Sequence, residues 1–220
     1  MPPVEILPGV YLLETDGQKK LATKSHDLEP VYGERIINGY RLWDPTRSKL
    51  AALLLKGGGR GLHLSRDAKV LYLGAATGTT VSHVSDIVTD GLVYAVEFSP
   101  RAMRDLIRLC ERRENIVPIL ASAARPEGYC VMVEPVDMVY QDIAQRNQVE
   151  IASLNSERYL KPGGVLILMM KTRSIDVTAT PNAVYNSEIK KLAGLSLSWS
   201  VDLLPYHMDH WAVLARKIDS

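Results

Sequence analysis

The architecture of this chain is set by one segment, Val70-Leu71-Tyr72-Leu73-Gly74-Ala75-Ala76-Thr77-Gly78-Thr79-Thr80-Val81. Its apolar start is typical of a buried strand, and beyond Gly78 the apolar residues Val81, Val84 and Val88 follow at helical spacing. The segment therefore predicts a strand, a tight turn and a helix. Small residues in such a turn let a ligand approach the backbone, and the helix start offers unpaired N–H groups to acceptor atoms.

A carboxylate follows the next apolar run. Residues 92–96 are apolar and predict a second strand, which ends at Glu97. At this place in an α/β sheet an acidic side chain can accept hydrogen bonds from both hydroxyls of a ribose, so the turn and Glu97 favour a site for an adenosine-containing cofactor. The spacing Gly74-xxx-Gly78 differs from the dinucleotide pattern, and the turn carries no phosphate-binding lysine. The alternative is an ordinary strand-to-helix corner with an exposed glutamate.

Composition and charge describe a globular protein that is nearly neutral. Of 220 residues, 46% are hydrophobic and 23% are charged, which suits one α/β domain with a small additional unit. The chain has 26 basic and 25 acidic residues, a formal net charge of +1. This balance argues against a protein that binds nucleic acid over a broad surface by itself. If RNA is the substrate, other molecules supply much of the affinity.

Cysteine usage and the N-terminus predict a cytoplasmic protein. Cys110 and Cys130 have apolar sequence neighbours, which suits reduced core thiols better than a disulfide or a metal site. Residues 1–5 lack the basic start and the long apolar core of a signal peptide, and no apolar run approaches membrane-spanning length.

Residues 1–56 are predicted to form a small β-hairpin domain with a connecting helix. Asp16-Gly17 and Asn38-Gly39 each separate two strand-like runs and suit the positive φ angles of tight hairpin turns. Asp44-Pro45 is expected to start the helix, since aspartate supplies a capping oxygen and proline fits the first helical position. The run Gly57-Gly58-Gly59 ends the helix and marks the domain boundary.

Residues 57–220 are predicted to form an α/β domain with a doubly wound, Rossmann-like sheet and a terminal antiparallel hairpin. Strand-like runs and helical patterns alternate after Glu97, with strands at 116–120, 136–140 and 165–170 and helices at 100–113, 148–159 and 180–194. Lys161-Pro162-Gly163-Gly164 predicts a turn before the third of these strands. Two final strands, at 196–203 and 211–216, are expected to pair antiparallel at the sheet edge.

The helix predicted over residues 100–113 has two different faces. One is apolar and is expected to be buried: Met103, Leu106, Ile107 and Cys110. The other is basic and carries Arg101, Arg104, Arg108 and Arg112. We favour a solvated face, partly neutralised by Asp105 and Glu111, over a contact face for RNA or an acidic partner.

Three polar residues are the first to follow predicted strands: Glu97, Asp142 and Lys171. Because the carboxyl ends of parallel strands meet at one edge of a sheet, these side chains are expected to share the ligand crevice. Lys171 ends the apolar run 165–170 and is expected to direct an amine into that crevice. A lysine whose amine merely reaches solvent past a strand end is the alternative.

Four segments carry a family resemblance: Trp43-Asp44-Pro45-Thr46-Arg47-Ser48-Lys49-Leu50-Ala51-Ala52, residues 73–86, Val93-Tyr94-Ala95-Val96-Glu97-Phe98-Ser99 and Arg173-Ser174-Ile175-Asp176-Val177. In these segments, and in their order and spacing as far as Asp209-His210, the chain resembles archaeal fibrillarins. The resemblance implies the fold of a class I S-adenosylmethionine-dependent methyltransferase and the activity of a ribosomal and transfer RNA 2′-O-methyltransferase.

The resemblance also implies S-adenosylmethionine as cofactor. The cofactor-binding residues carried over are Gly74, Ala75, Gly78, Thr79 and Thr80 at the turn, Glu97 and Phe98 at the ribose and adenine, Ser122 and Ala123 near the adenine, and Asp142, Ile143, Ala144 and Gln145 around the methionine end. Where the family usually has Asp-Ala, this chain has Ser122-Ala123. A hydroxyl can still accept a hydrogen bond from the adenine amino group, but a charge-assisted bond is about twice as strong, so weaker cofactor binding is expected.

A catalytic tetrad is implied in the same way: Lys49, Asp142, Lys171 and His210. Lys171 is the candidate base for the ribose hydroxyl, because neighbouring Lys49 and partial removal from water favour a neutral amine. Asp142 would orient that amine, and His210 would position the ribose. Lys49 as a merely exposed residue and His207 in place of His210 stay open, and the histidine pair is not interpreted as a metal site.

The resemblance implies partners as well: a box C/D guide RNA that selects the target RNA, a Nop5-like protein of the Nop56/58 family, and an L7Ae-like kink-turn protein. Base pairing would choose the nucleotide while partners deliver the enzyme, which fits the near-neutral charge. Two alternatives are a non-catalytic assembly subunit, against which Asp142 and Lys171 argue, and a protein methyltransferase, which the lysine-rich tetrad favours less.

Overall fold

The computed structural model describes residues 2–25, 27–59, 62 and 64–218. The N-terminal part forms an antiparallel sheet from strands β1 (Val4–Leu7), β2 (Val10–Thr15), β3 (Gln18–Lys24), β4 (Ile36–Ile37) and β5 (Tyr40–Leu42) in the order β1-β2-β3-β5-β4. Asp16-Gly17 and Asn38-Gly39 have positive φ angles, so both predicted hairpin turns are confirmed. Strand β1 was not predicted, because most of its residues are exposed and give no burial pattern.

The second sheet has seven strands: β6 (Lys69–Leu73), β7 (Leu92–Glu97), β8 (Ile116–Leu120), β9 (Val136–Gln141), β10 (Leu160–Lys171), β11 (Leu195–Asp202) and β12 (His210–Lys217). Their order is β11-β12-β10-β9-β6-β7-β8. Neighbours from β10 to β8 run parallel, whereas β12 is antiparallel to both β10 and β11. The predicted doubly wound sheet with a terminal antiparallel pair is therefore confirmed.

The described helices are α1 (Lys49–Leu55), α2 (Thr79–Ile87), α3 (Pro100–Cys110), α4 (Gln148–Tyr159), α5 (Thr172–Ile175) and α6 (Pro181–Glu188), with 3-10 helices at Pro126–Tyr129 and Ile189–Lys191. None of them has the length and apolar character needed to cross a membrane. The short helix α5 and the 3-10 helix at Pro126–Tyr129 were not predicted, since each is only four residues long.

The start of α1 was predicted wrongly. Asp44 does not cap the helix, because its Oδ1 accepts hydrogen bonds from the backbone N–H of Thr46 at 2.8 Å and from the Thr46 hydroxyl at 2.7 Å. This local turn competes with helix formation. The helix begins four residues after Pro45, at Lys49, and Ser48 Oγ accepts from Ala51 N at the N-cap.

The turn predicted at residues 161–164 lies inside strand β10. Leu160 pairs with Val136, and regular pairing with β9 resumes only at Val165 opposite Met138. Gly163 has a φ of +69° inside this irregularity. The predicted turn residues thus form an interruption of the strand rather than its start.

Two predictions of burial were wrong. On α3, the buried face is formed by Met103, Leu106 and Leu109, while Ile107 is 45% exposed. The helix ends at Cys110, so the residues after it do not continue the amphipathic pattern. Both cysteines are free thiols, as expected, but Cys130 is exposed and is not a core residue.

The seven-stranded sheet is covered on both faces. Alternate residues of β6 point to opposite sides, since Val70 belongs to one apolar cluster and Leu71 to the other. The first cluster also contains Trp43 of the N-terminal part and residues of α1, α2 and α3, and the second contains residues of α4. The N-terminal sheet and the first face share a core. The domain boundary near residue 57 stays a prediction.

A buried cluster of charged side chains joins the N-terminal sheet to α2. Asp86 of α2 accepts hydrogen bonds from Arg41 Nη1 at 2.8 Å and from Arg113 Nη1 at 2.7 Å. Arg41 also donates from Nε to Glu34 Oε1 at 2.8 Å. The side chains of Arg41 and Asp86 are fully buried, so each charge depends on these partners rather than on water.

Candidate active site

The glycine turn brings the tips of β6 and β9 into contact. Gly74 has a φ of +86°, and a Cβ at this position would lie 2.3 Å from the carbonyl oxygen of Asp142. Asp142 N in turn donates to Leu73 O at 2.9 Å. Only glycine fits here, because the backbone conformation is left-handed and the neighbouring carbonyl occupies the side-chain position.

Glu97 holds the turn in shape. Its carboxylate is buried, and it accepts hydrogen bonds from Ala76 N on Oε2 and from Ser99 N on Oε1, both at 2.8 Å. Ala76 is a non-glycine residue with a φ of +48°, which this bond supports. Each carboxylate oxygen has a second acceptor site, so Glu97 can still bind the hydroxyls of a ribose.

A cleft of about 300 Å³ opens beside Glu97, at the lower end of the size range of sites for small ligands. Most of the predicted cofactor residues line it: Gly74, Glu97, Phe98, Ser122, Ala123, Asp142, Ile143, Ala144 and Gln145, together with Ala76, Val96 and Ala121. The cleft combines an apolar wall, a carboxylate with free acceptor sites and a turn whose lining residues, Gly74 and Ala76, are small. This combination fits the adenosine part of S-adenosylmethionine.

Four of the predicted cofactor residues do not line the cleft: Ala75, Gly78, Thr79 and Thr80. Gly78 is the N-cap of α2, with a φ of +93°, and a Cβ there would lie 2.4 Å from Leu109 Cδ2. Thr80 Oγ1 donates to Ser48 Oγ at 2.9 Å. These residues shape the turn and connect α2 to the N-cap of α1.

Lys49 and Asp142 form an ion pair at the mouth of the cleft. Lys49 Nζ lies 2.9 Å from Asp142 Oδ1 and 2.8 Å from Oδ2. The two side chains are only 20% and 25% exposed. Lys49 is therefore not a merely exposed residue of the first helical turn, and its position follows from Ser48, which caps α1 and is held by Thr80.

Lys171 and His210 lie opposite each other. They are cross-strand partners at the ends of β10 and β12. The side chain of Gln148 fixes the backbone here, because Lys171 N donates to Gln148 Oε1 at 2.9 Å and Gln148 Nε2 donates to Lys171 O at 3.1 Å. Lys171 Nζ has no hydrogen bond or ion pair to any residue that the structure describes.

The two histidines beside the ion pair have different partners. His210 Nδ1 donates to Met208 O at 2.6 Å, so its Nε2 is the free acceptor. His207 Nε2 donates to Pro45 O at 2.8 Å and thereby holds the turn before α1. Burial, together with the charge of Lys49, lowers the pKa of both histidines, which favours neutral rings. His210 thus keeps an acceptor for a ligand and lies opposite Lys171, and this position favours it over His207 for the substrate.

The tip of the terminal hairpin is tied to α5. Asp209 O accepts from Thr172 N and from Thr172 Oγ1, both at 3.0 Å, and its carboxylate lies 3.4 Å from Arg173 Nε. Asp209 has a φ of +58°. These contacts hold the residues next to Lys171 and His210 in place, and they compensate for the unfavourable backbone conformation.

The comparison with known proteins identifies the family. A sequence model of the fibrillarin family matches residues 1–219. The chain belongs to the fibrillarin family. A fibrillarin-like rRNA/tRNA 2′-O-methyltransferase of Methanothrix thermoacetophila is 57% identical to it over 215 residues, which is 97% of this chain and 99% of the relative.

Two solved fibrillarin structures are similar over nearly the whole chain. The fibrillarin of a fibrillarin/Nop5p complex is 46% identical, with a TM-score of 0.91 over 98% of this chain and 100% of its own. Aeropyrum pernix fibrillarin, solved with natively bound S-adenosyl-L-methionine, is 44% identical, with a TM-score of 0.84 over 97% of this chain and 99% of its own. The fold and cofactor class expected from the resemblance agree with these relatives.

Sequence reasoning missed several residues that position the predicted tetrad of this fibrillarin-family chain. Gln148, Thr172 and Asp209 act through backbone contacts, and Ser48 acts as a helix cap. The serine before Lys49 was a usable signal, since serine is a preferred N-cap. Gln148 carried no such signal, because an amide at a helix start has many possible partners.

Proposed function

We propose that this chain transfers a methyl group from S-adenosylmethionine to a ribose 2′-oxygen in ribosomal RNA, with transfer RNA as a second substrate. The observation that carries the proposal is a cleft suited to adenosine that is lined by Asp142, which pairs with Lys49. His210, which is close enough to feel both of these charges, lies opposite Lys171 at the neighbouring strand ends. An alcohol is a poor nucleophile until its proton is removed, and this group of side chains supplies acceptors for that proton. The named activity of the relatives supports the same reaction.

Each side chain in and around the cleft has a separate role in the proposed methyl transfer. Bound S-adenosylmethionine would supply an electrophilic methyl group on sulfur, held by Glu97 at the ribose and by residues 142–145 at the methionine end. Lys49 donates to both oxygens of Asp142, which makes the aspartate a poor base and keeps it as an orienting group. Lys171 Nζ, which lacks a described partner, would take the proton of the 2′-hydroxyl on its lone pair. The O–CH₃ bond would form as the methyl–sulfur bond breaks and its electron pair stays on the departing sulfur. His210, which lies opposite Lys171, contacts the ribose and positions it.

The site of modification is chosen outside this chain. We assign that role to a box C/D guide RNA, with a Nop5-like protein and an L7Ae-like protein as partners in the assembly. The formal net charge of +1 supports an arrangement in which other components of the assembly supply most of the RNA binding. A solved relative forms a complex with Nop5p. The cytoplasmic location stays a prediction of the sequence.

Methyl transfer to RNA tests the proposal. Labelled methyl incorporation is measured with the chain alone and with guide RNA plus both partner proteins, on a target RNA and on the same RNA with a 2′-deoxy target nucleotide. We expect incorporation only in the full assembly and only on the ribose target. Transfer to a protein component instead would support the protein methyltransferase alternative.

A matched pair of lysine variants separates a catalyst from an assembly subunit. Lys171→Met removes the candidate base, whereas Lys161→Met changes a lysine at the other end of β10 that pairs with Asp137. We expect a loss of about 10²-fold to 10⁴-fold in the single-turnover rate for the first variant and little change for the second. Equal rates for Lys171→Met and the unmodified chain would contradict the assigned role.

A further inference from the structure

We propose that Arg47 binds a backbone phosphate of the RNA strand next to the target nucleotide, an inference that rests on the proposed function. Arg47 lies in the turn before α1, two residues before Lys49. Its side chain is exposed, and no carboxylate among the described residues forms an ion pair with it. A positive charge near a catalytic site, without a carboxylate partner among the described residues, is available to an anionic substrate.

The guanidinium of Arg47 is already held in one orientation. Its central carbon lies 4.8 Å from the ring centroid of Tyr32, and Nη1 donates to Tyr32 O at 2.8 Å. Arginine has five N–H donors in a planar fork, so most of them remain for a ligand. Phosphate accepts such a fork through two parallel bonds, and an orientation fixed in advance reduces the entropy lost on binding.

The support under Arg47 extends into the buried core. Tyr32 OH contacts His83 Nε2 at 2.8 Å, and the ring of His83 stacks on Trp43 with centroids 4.6 Å apart. Thr23 Oγ1 donates to the Asp86 carboxylate at 2.6 Å, so it must accept from His83 Nδ1, which lies 2.7 Å away. In the neutral ring Nε2 then accepts from the Tyr32 hydroxyl. The tyrosine beneath Arg47 is thereby fixed in position.

Among the described residues that line the adjoining groove, Arg47 is the arginine without an ion pair. It lines a groove with Tyr32, Thr77, Arg108 and Arg112. The other two arginines are paired, Arg108 with Asp105 at 3.2 Å and Arg112 with Glu29. Arg47 does not line the cleft beside Glu97, so the expected anion is part of the RNA and not the carboxylate of the cofactor.

Three variants test the proposal in the complete assembly with guide RNA. Arg47→Met removes the charge, Arg47→Lys keeps the charge but loses the planar fork, and Arg66→Met is the control. Arg66 is 70% exposed and pairs with Asp90, and it is not among the residues that line the groove. Target RNA is titrated at several salt concentrations, and cofactor binding to each purified chain is measured by calorimetry.

We expect Arg47→Met to raise the KM for target RNA about 10-fold, with little change in kcat. The plot of log affinity against log salt should become less steep by about 0.7 to 0.9, the loss of one phosphate contact. Arg47→Lys should recover the salt dependence but little of the affinity. Cofactor affinity and the unfolding temperature should stay unchanged in all three variants.

Different results overturn different statements. An unchanged KM and salt dependence in Arg47→Met, with normal methyl transfer by the unmodified chain, would refute the phosphate contact and leave the proposed function intact. Weaker cofactor binding would reassign Arg47 to the cofactor, and loss of assembly with the partner proteins would reassign it to a protein contact. Absence of methyl transfer to RNA by the unmodified assembly would refute the function and this inference together.

Discussion

Asp86→Asn tests the buried charge cluster between the N-terminal sheet and α2. The Asp86 side chain is fully buried and accepts from Arg41 at 2.8 Å, from Arg113 at 2.7 Å and from the hydroxyl of Thr23 at 2.6 Å. Asparagine keeps the shape but removes the negative charge and turns an amide donor toward a guanidinium. Among the described carboxylates, Asp27 then remains near Arg113, at 3.8 Å. Arg113 Nη1 keeps hydrogen bonds to the neutral groups Ser82 O and Ser85 Oγ, whereas its Nε and Nη2 already lack hydrogen-bond partners.

The expected cost is large for one substitution. Removal of one partner of a buried ion pair costs about 3–5 kcal/mol, because the other charge stays buried without compensation. We therefore expect the free energy of unfolding to fall by about 3–5 kcal/mol. For a chain of this length, that corresponds to a decrease in Tm of about 6–20 °C.

Urea denaturation followed by circular dichroism measures the effect. Asp90→Asn is the matched control, because Asp90 pairs with Arg66 at 3.2 Å with both side chains more than half exposed. Such a surface pair contributes about 1 kcal/mol or less. A loss below about 1 kcal/mol for Asp86→Asn, with an unchanged denaturant slope, would refute the assignment of the cluster as a stabilising contact that depends on its charges.

Three further predictions follow from the described geometry. Burial, together with Arg41 and Arg113, lowers the pKa of His83 well below its usual value, so in acid the unfolded chain binds a proton that the folded chain excludes. The free energy of unfolding should therefore fall below about pH 6.5, by up to about 1.4 kcal/mol per pH unit from this residue. Equal urea midpoints at pH 7.0 and 5.5 would contradict this. Gly74→Ala should abolish cofactor binding in calorimetry, because the added Cβ clashes with Asp142 O. The control Gly39→Ala has a φ of +83° but open space around it, so this variant should bind the cofactor normally and lose about 1 kcal/mol of stability. Ser122→Asp should tighten cofactor binding about 3-fold to 10-fold, since it offers a charged acceptor, and an unchanged or weaker affinity would refute the role given to Ser122.

Local sequence patterns were sufficient to predict most of the fold. The hairpin turns at Asp16-Gly17 and Asn38-Gly39 were predictable because aspartate, asparagine and glycine tolerate positive φ angles. The strand β10 was predictable because residues 165–170 are uniformly apolar, as a strand buried on both faces requires. Prediction was wrong where two local structures compete, as at Asp44, whose side chain makes its own turn instead of capping α1.

Part of the site also follows from the chain alone. Glu97, Asp142 and Lys171 each stand at the carboxyl end of a predicted strand, and parallel pairing brings such ends to one edge of a sheet. The resemblance to fibrillarins added Lys49 and His210, which no spacing rule connects to the strand ends. It did not separate residues that line the cleft from residues that shape it, such as Thr80.

What the chain specifies through neighbouring residues is therefore the order of strands, turns and helices and the edge of the sheet at which a ligand binds. The pairing of Lys49 with Asp142 joins residues 93 positions apart, and the contact of Tyr32 with His83 joins residues 51 apart. The first contact depends on how α1 packs on the seven-stranded sheet, and the second on how the N-terminal part packs on α2. In both cases a side chain finds a distant partner only after both elements are placed. Tertiary packing therefore decides which lysine is paired with Asp142 and where Arg47 is held.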